Sequence, residues 1–404
     1  MKLPRAPWQE WTGMSQLLDA LSAGHGETRY VGGCVRDTLL GLEVNDVDLA
    51  TRIAPQEVIR RLGEAHIRAV PTGIAHGTVT AVLRDHVVEV TTLRRDVATD
   101  GRRATIAYTD DWKEDAARRD FTINAFSADP ATLDVSDYYG GKQDLHARRV
   151  RFIGDPLVRI AEDHLRILRF FRFHARFGAG APDPSSLDAC IARANDLMAL
   201  SRERIADELL KLLALPDPAV TVALMIERGI LRPVLPEIAG TDGLRALVAR
   251  EQAAGVAPDP LRRLAALLPP DPALAASLAA RLRLSNKAAR RLAAAAGRLP
   301  ALDEAPPVLA YRIGREEAID RLLLSAEEPA AVAAKVAGLQ GWERPRLPIG
   351  GGDIIAMGLA PGPIVAKTLQ AIEREWAERG FAADVETVRA LAREKVDQVR
   401  RESQ

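Results

Sequence analysis

Apolar residues recur along the chain in two rhythms, and the change of rhythm divides it. Trp11, Met14, Leu17, Leu18 and Leu21 stand at helical spacing, which predicts an amphipathic helix over about 9–24. Tyr30-Val31 then reads as a short strand, residues 34–42 as a helix ended by Gly41, and the stretch holding Asp46 and Asp48 as another strand. Pro55 opens a helix with Val58, Ile59 and Leu62 as its buried stripe. Strands are expected around 67–70, 77–84 and 86–93, the last two joined at Arg84-Asp85. From Arg94 to Thr105 the chain is polar, contains Gly101 and has no period, so it reads as a mobile loop or a plain surface connection.

Beyond that segment the period is helical almost throughout. Asp155 can cap a helix that Pro156 opens, with Ile160, Ile167, Leu168 and Phe171 on its buried side. Asp163, Arg166, Arg169 and Arg172 recur every third residue and would form a slowly winding polar line on one continuous helix. Ser201 can cap the next helix, whose apolar face is Ile205, Leu209 and Leu212. Residues from about 215 to 340 are Ala- and Leu-rich, broken by Pro-containing loops near 257–260, 269–272 and 305–307, which suggests a helical body. A long helix through Lys367, Leu369, Ile372 and Trp376 follows. The pattern thus predicts an α+β protein with one small mixed sheet near its start and an all-α remainder.

Composition narrows the class. At 404 residues and 47% hydrophobic content the chain can form two or three domains with buried cores. The formal net charge is zero, so a polyanionic partner would need a local basic stripe. Candidates for one are Arg262, Arg263, Arg281, Arg283, Lys287, Arg290 and Arg291, which read either as a track for a phosphate backbone or as solvated helix faces. Cys34 and Cys190 are too few for a disulfide framework or a zinc site, and His146, His164 and His174 are too scattered for a metal cluster. Residues 1–8 lack an apolar signal core and no apolar run approaches a membrane span, so a cytoplasmic protein with no membrane partner is expected.

Tyr30-Val-Gly-Gly-Cys-Val-Arg-Asp37 has the form of a strand end, a Gly-Gly turn and a helix start, which can bring backbone N–H groups against phosphate. Asp46 and Asp48 flank Val47, so on a strand both carboxylates face one way. Two such carboxylates beside a phosphate cradle suit Mg²⁺ ions holding a nucleoside triphosphate. Glu89, on an alternating strand, can join them or remain an exposed strand residue.

These two stretches, in this order, resemble the signature of nucleotidyltransferases with a DNA-polymerase-β-like core. Arg118-Arg-Asp-Phe-Thr-Ile-Asn-Ala125 resembles the second motif of that superfamily, and Glu162-Asp-His-Leu-Arg166 the third. The segment from Ser201 to Leu213 resembles its last head-and-neck motif, a support for the third. The five motifs in order resemble the class II CCA-adding tRNA nucleotidyltransferases, within the tRNA nucleotidyltransferase and poly(A) polymerase family.

That resemblance implies a nucleotidyltransferase head over 1–150, a helical neck over 151–215, a helical body over 216–340 and an RNA-contacting helical tail over 341–404. It implies Mg²⁺ on Asp46 and Asp48, with Glu89 a third acidic group in many relatives. Gly33, Arg36 and Arg119 would hold the triphosphate, Asp163 and Arg166 read the base, and Arg169 and Arg172 lie on the phosphate side. Asp120 and Asn124 would bind ribose hydroxyls or brace the loop, and the 94–105 segment would be the flexible loop needed when C addition gives way to A addition. Arg166 can donate to O2 and N3 of cytosine while Asp163 accepts from its 4-amino group; adenine requires the pair to turn toward N1 and the 6-amino group. The implied substrates are CTP, ATP and the 3′ end and acceptor region of tRNA, with pyrophosphate released. In the tail, Gly362 and the helix start beside it would bind a tRNA phosphate or form a rigid turn. A poly(A) polymerase and an inactive RNA-binding module are the alternatives; the mixed-charge ending, Arg393 to Gln404, disfavours the first, and the intact Asp46 and Asp48 the second.

Overall fold

The computed structural model describes residues 1–100, 103–297, 304–382 and 384–402. The chain divides into two compact units, Met1–Ile238 and Ala239–Gln404. Among the described residues no helix is long and apolar enough to cross a membrane.

The first unit begins with a correction to the periodicity. The helix expected over 9–24 is three pieces: a 3-10 turn at Pro7–Glu10, α1 (Met14–Ala20) and a second 3-10 turn at Ala23–His25. Gly13, at φ 93°, starts α1, and a Cβ there would lie 3.3 Å from Leu83. The apolar spacing is nevertheless satisfied, because Met14, Leu17 and Leu21 are all buried.

A seven-stranded sheet follows, with β1 (Thr28–Val31), β2 (Val47–Thr51), β3 (Arg68–Gly73), β4 (Thr78–Val82) and β5 (Val87–Thr92) interleaved with α2 (Gly33–Leu39) and α3 (Pro55–Glu64). With the later strands β8 (Ser127–Ala128) and β9 (Val135–Ser136), the order is β3-β4-β5-β2-β1-β8-β9, and β2 runs parallel to β5 while its pairing with β1 is antiparallel. Alternation sorts the strand residues: Val47, Leu49, Val79, Ala81, Val88 and Val90 join Leu17, Val35, Val58 and Leu62 in one core. Val31, Ala50, Leu93 and Trp112 form a smaller cluster. Asp48, between Val47 and Leu49, therefore lies on the face opposite the main core.

The segment expected to be a loop over 94–105 is a two-stranded ribbon of β6 (Arg94–Asp100) and β7 (Arg103–Tyr108), with Arg94 opposite Tyr108 and Asp100 opposite Arg103. Gly101 and Arg102, at the centre of that expected loop, lie outside the described residues. Its polar sequence concealed the strands because a two-stranded ribbon needs no apolar face to complete its ladder.

The unit continues through α4 (Trp112–Ala117), β8 (Ser127–Ala128), β9 (Val135–Ser136), α5 (Gly141–His146), α6 (Pro156–Glu162), α7 (Leu165–Phe177), α8 (Pro184–Ala192), α9 (Arg202–Leu213) and α10 (Ala219–Glu227). Asp155 caps α6 as expected, accepting from the Leu157 N–H at 2.8 Å. The continuous helix expected from Pro156 to Phe173 is broken: Asp163 is extended (φ −155°, ψ 107°), so α6 ends before it and α7 begins after it. α7 is held to the preceding chain by tilted phenylalanine pairs, with Phe121 5.0 Å from Phe152 and 5.1 Å from Phe173 between ring centroids.

The second unit contains α11 (Asp242–Ala254), α12 (Pro260–Leu267), α13 (Pro272–Arg281), α14 (Asn286–Ala296), α15 (Pro306–Ile313), α16 (Arg315–Leu323), α17 (Pro329–Ala337), α18 (Gly351–Ala356), α19 (Pro363–Glu378) and α20 (Val385–Glu402). Pro260, Pro272 and Pro306 are helix starts, which is why the Pro-containing loops marked the boundaries so well. Ile354, Ile372, Trp376, Val388, Leu391 and Val396 give α18–α20 their own core.

Three of the expected basic-patch residues are not on a surface track. Arg262 and Arg263 are buried and both pair with Glu251 at 2.8 Å, and Arg291 meets Asp320 at 2.6 Å. Lys287 and Arg290 remain exposed on α14.

Candidate active site

A cavity of about 690 Å³ opens where the Gly-Gly turn, the acidic strand and helices α7 and α9 meet. β1 delivers the chain to Gly32, whose φ of 71° and ψ of −123° lie outside the regions open to other residues. A Cβ on Gly32 would come within 2.7 Å of Arg119 Nη1, so this glycine permits both the turn and the close approach of that guanidinium. Gly33 opens α2, and both glycines line the cavity.

Asp46 and Asp48 line the same cavity, Asp46 exposed just before β2 and Asp48 half-buried within it. The parallel register sets Glu89 of β5 directly beside Asp48, but Glu89 is exposed and does not contribute to the cavity wall. Burial raises the Asp48 carboxyl, Arg119 opposes the rise, and the negative Glu89 and Asp46 add to it, leaving Asp48 pushed up to about 6. Among the described residues no three His, Cys, Asp or Glu side chains form a ready-made metal cage. An all-oxygen donor pair whose half-buried member is held back from ionising nonetheless fits a hard divalent cation, which would offset the burial that raises Asp48.

The opposite residues of the wall are basic. Arg119 is held by Asp115, with Nη2 donating to Oδ2 at 3.4 Å. Asp120 is buried and accepts from the Phe121 N–H at 2.8 Å, Asn124 Nδ2 at 2.9 Å and both Nε and Nη2 of Arg169, at 2.8 and 2.6 Å. Burial alone would raise its pKa, but Arg169, Asn124 and the Phe121 amide outweigh it and hold Asp120 at about 2. This makes Asp120 a brace between its own turn and α7. Arg36 is also a brace: it is buried over the Phe177 ring at 4.1 Å and donates to Asn124 Oδ1 and, at 2.7 Å, to Asp37.

Asp163 and Arg166 face this cavity too, although the break between α6 and α7 means that they do not share one helix face. Asp163 Oδ2 accepts from Arg204 Nη2 at 2.7 Å, and its Oδ1 accepts from the Leu165 N–H at 3.1 Å. Arg166 Nη1 donates to Glu162 and, at 2.8 Å, to the Arg159 carbonyl. Arg166 Nη2 also donates to the Arg118 carbonyl at 3.3 Å, so the protein fixes both terminal nitrogens of Arg166 and one flank of Asp163.

The structure therefore brings together Gly33, Arg36, Asp46, Asp48, Arg119, Asp163, Arg166 and Arg169. It leaves Glu89 at the margin and Arg172 outside: Arg172 is committed to Glu208, with Nε donating at 2.6 Å, and packs over Phe173. Arg204 was missed, since α9 read as scaffold. The sequence carried no signal for it, because its partner Asp163 lies 41 positions away and Glu208, four residues on, is taken by Arg172 and Arg169. The Ser201 cap is weaker than expected, because its side chain makes no capping hydrogen bond.

A family profile described as the poly A polymerase head domain matches residues 28–151, and one described as a probable RNA and SrmB-binding site of polymerase A matches residues 181–241. The chain is 33% identical to a mitochondrial CCA tRNA nucleotidyltransferase 1 of Mus musculus, over 91% of this chain and 87% of that protein. It is 30% identical to a CCA-adding enzyme of Limosilactobacillus fermentum, over 98% of this chain and 99% of the relative. The solved CCA-adding enzyme of Bacillus stearothermophilus in complex with CTP is 26% identical and superposes with a TM-score of 0.77, over 99% of this chain and 100% of that one.

Proposed function

Because the chain belongs to the family of CCA-adding tRNA nucleotidyltransferases, we propose that it adds C, C and A to the 3′ end of tRNA from CTP and ATP in the cavity between Asp46, Asp48 and Arg166. The observation that carries this reading is that the acidic pair, Arg119 and the Asp163–Arg166 pair line one cavity. Asp46 and Asp48 would hold divalent ions, with Mg²⁺ the ion suited to carboxylate and phosphate oxygens. When bound, such ions supply charge neutralisation for the triphosphate and favour ionisation of the attacking hydroxyl.

Arg119 reaches the triphosphate oxygens with a planar donor, and Gly32 and Gly33 leave room for backbone N–H groups to approach them. The tRNA 3′-hydroxyl attacks the α-phosphorus, the bond to the β-phosphate bridge breaks, and pyrophosphate leaves. Asp163 uses the carboxylate lone pairs not taken by Arg204 to accept from an exocyclic amino group. Arg166, with Nη1 and one Nη2 hydrogen held by the protein, presents Nε and the other Nη2 hydrogen to O2 and N3 of cytosine or N1 of adenine. Asp120, Asn124 and Arg36 hold these walls in place through their own pairing.

The division into head 1–150, neck 151–215, body 216–340 and tail 341–404 belongs to the same reading. In the body, exposed Arg283, Lys287 and Arg290 would meet a tRNA backbone, whereas Arg262, Arg263 and Arg291 are taken by internal pairs. In the tail, Gly362 directly precedes the 16-residue α19 and is placed to meet a phosphate.

The test is to supply tRNA lacking its terminal triplet with CTP and ATP, separately and together, and to sequence the 3′ ends. Ends reading CCA and no further are expected from the wild type, and no extension from the Asp48→Asn variant. A run of A with ATP alone would establish a poly(A) polymerase instead, and no extension by the wild type would leave only an RNA-binding module.

A further inference from the structure

The Arg159 side chain is buried in the last turn of α6, and none of the roles above uses it. Its Nη2 donates to the carbonyls of Arg118 and Arg119, at 2.5 and 2.6 Å, while its Nη1 donates to Glu162. The same Glu162 oxygen accepts from Arg166 Nη1, which also donates to the Arg159 carbonyl at 2.8 Å. Arg166 Nη2 lies 3.3 Å from the Arg118 carbonyl. A single planar guanidinium thus grips the backbone that carries Arg119 and the carboxylate that holds Arg166.

We propose that Arg159, acting through Glu162, is the positioning residue that couples the hold of Arg119 on the triphosphate to the reading of the base by Arg166. Two features of the geometry favour coupling over simple bracing. The carbonyls that Arg159 engages belong to the turn that ends α4, so a shift of Arg119 toward phosphate oxygens moves the anchor of Arg159. The partner at its other end is a carboxylate shared by two guanidiniums, so a change in one pairing redistributes charge-assisted hydrogen bonding to the other. A lysine could satisfy the carbonyls but lacks the fork that reaches Glu162 at the same time. The inference rests on the assignment of Arg119 and Arg166 made above.

The test is a double-mutant cycle of Arg119→Ala and Arg166→Ala, read as kcat/KM for CTP incorporation into tRNA lacking its triplet. It is run in the wild type and again in the Arg159→Lys and Glu162→Gln backgrounds, with a thermal melt of each protein. The expected result is a coupling of about 10-fold or more in the wild type that falls below about 2-fold in both backgrounds, a convergence that loss of packing alone would not produce. Glu162→Gln leaves the grip of Arg159 on the carbonyls intact, so it decides the matter if Arg159→Lys melts early. Coupling that persists in a folded Glu162→Gln background, or is absent in the wild type, overturns the proposal. If Arg166→Ala alone leaves the preference between CTP and ATP unchanged, it is the base-reading assignment that fails.

Discussion

Asp120 remains ionised in a buried position because four donors converge on its two oxygens, and the strongest of them is the forked guanidinium of Arg169. Its pKa of about 2 in the folded chain lies below the ordinary carboxylate value. The sign follows: stability from this group is fully present above about pH 4 and is lost as the pH falls toward 2, by about 2 kcal/mol in all. Urea denaturation across that interval should show this loss in the wild type and not in Asp120→Asn; equal acid losses in both would contradict it. The sequence marked Asp120 as a brace or a ribose contact without choosing, because Arg169, which decides it, lies 49 positions away. Asp46 and Asp48 were legible for the opposite reason. Their spacing suggested one shared face, and both line the cavity although Asp46 stands one residue before β2, whereas the register that sets Glu89 beside Asp48 is a pairing between separate strands.

At the scale of elements, helices with a strong start signal were read well. Pro55, Pro156, Pro260 and Pro363 all stand at helix starts, where a missing N–H and a fixed φ cost nothing. The interruptions were not read. Asp163 sits within a helical period, yet it is extended, because the Leu165 N–H and Arg204 together satisfy its carboxylate outside a helix. That break makes Asp163 a joint between α6 and α7, so the two side chains proposed to read the base do not share one helix. The β6–β7 ribbon was missed for a related reason: its pairing is backbone to backbone and leaves no trace in the apolar pattern.

For the whole molecule, burial determines what charge can do. Arg262 and Arg263 stand in a run that reads as an RNA track, but Glu251, eleven and twelve positions away in sequence, draws both inside. Removing Glu251 would leave two buried cations without that shared partner. Glu251→Ala should therefore lower folding stability by about 3–5 kcal/mol, measured by urea denaturation, and a change below about 1 kcal/mol would show that the cluster is solvated. Each of the two units has such an internal ionic cluster, so net charge near zero hides local organisation that only coordinates reveal.

The proposed function requires the protein surface around Asp163 and Arg166 to select the incoming nucleotide without a nucleic-acid template. The ratio of kcat/KM for CTP to that for ATP, measured on tRNA awaiting its first C, tests it most directly in Asp163→Ala and Arg166→Ala. Sites that match buried polar groups to a substrate discriminate by factors far above 10, so the ratio should fall by about 10-fold or more in both variants, more than triphosphate affinity weakens. An unchanged ratio with activity reduced equally for both nucleotides would contradict it.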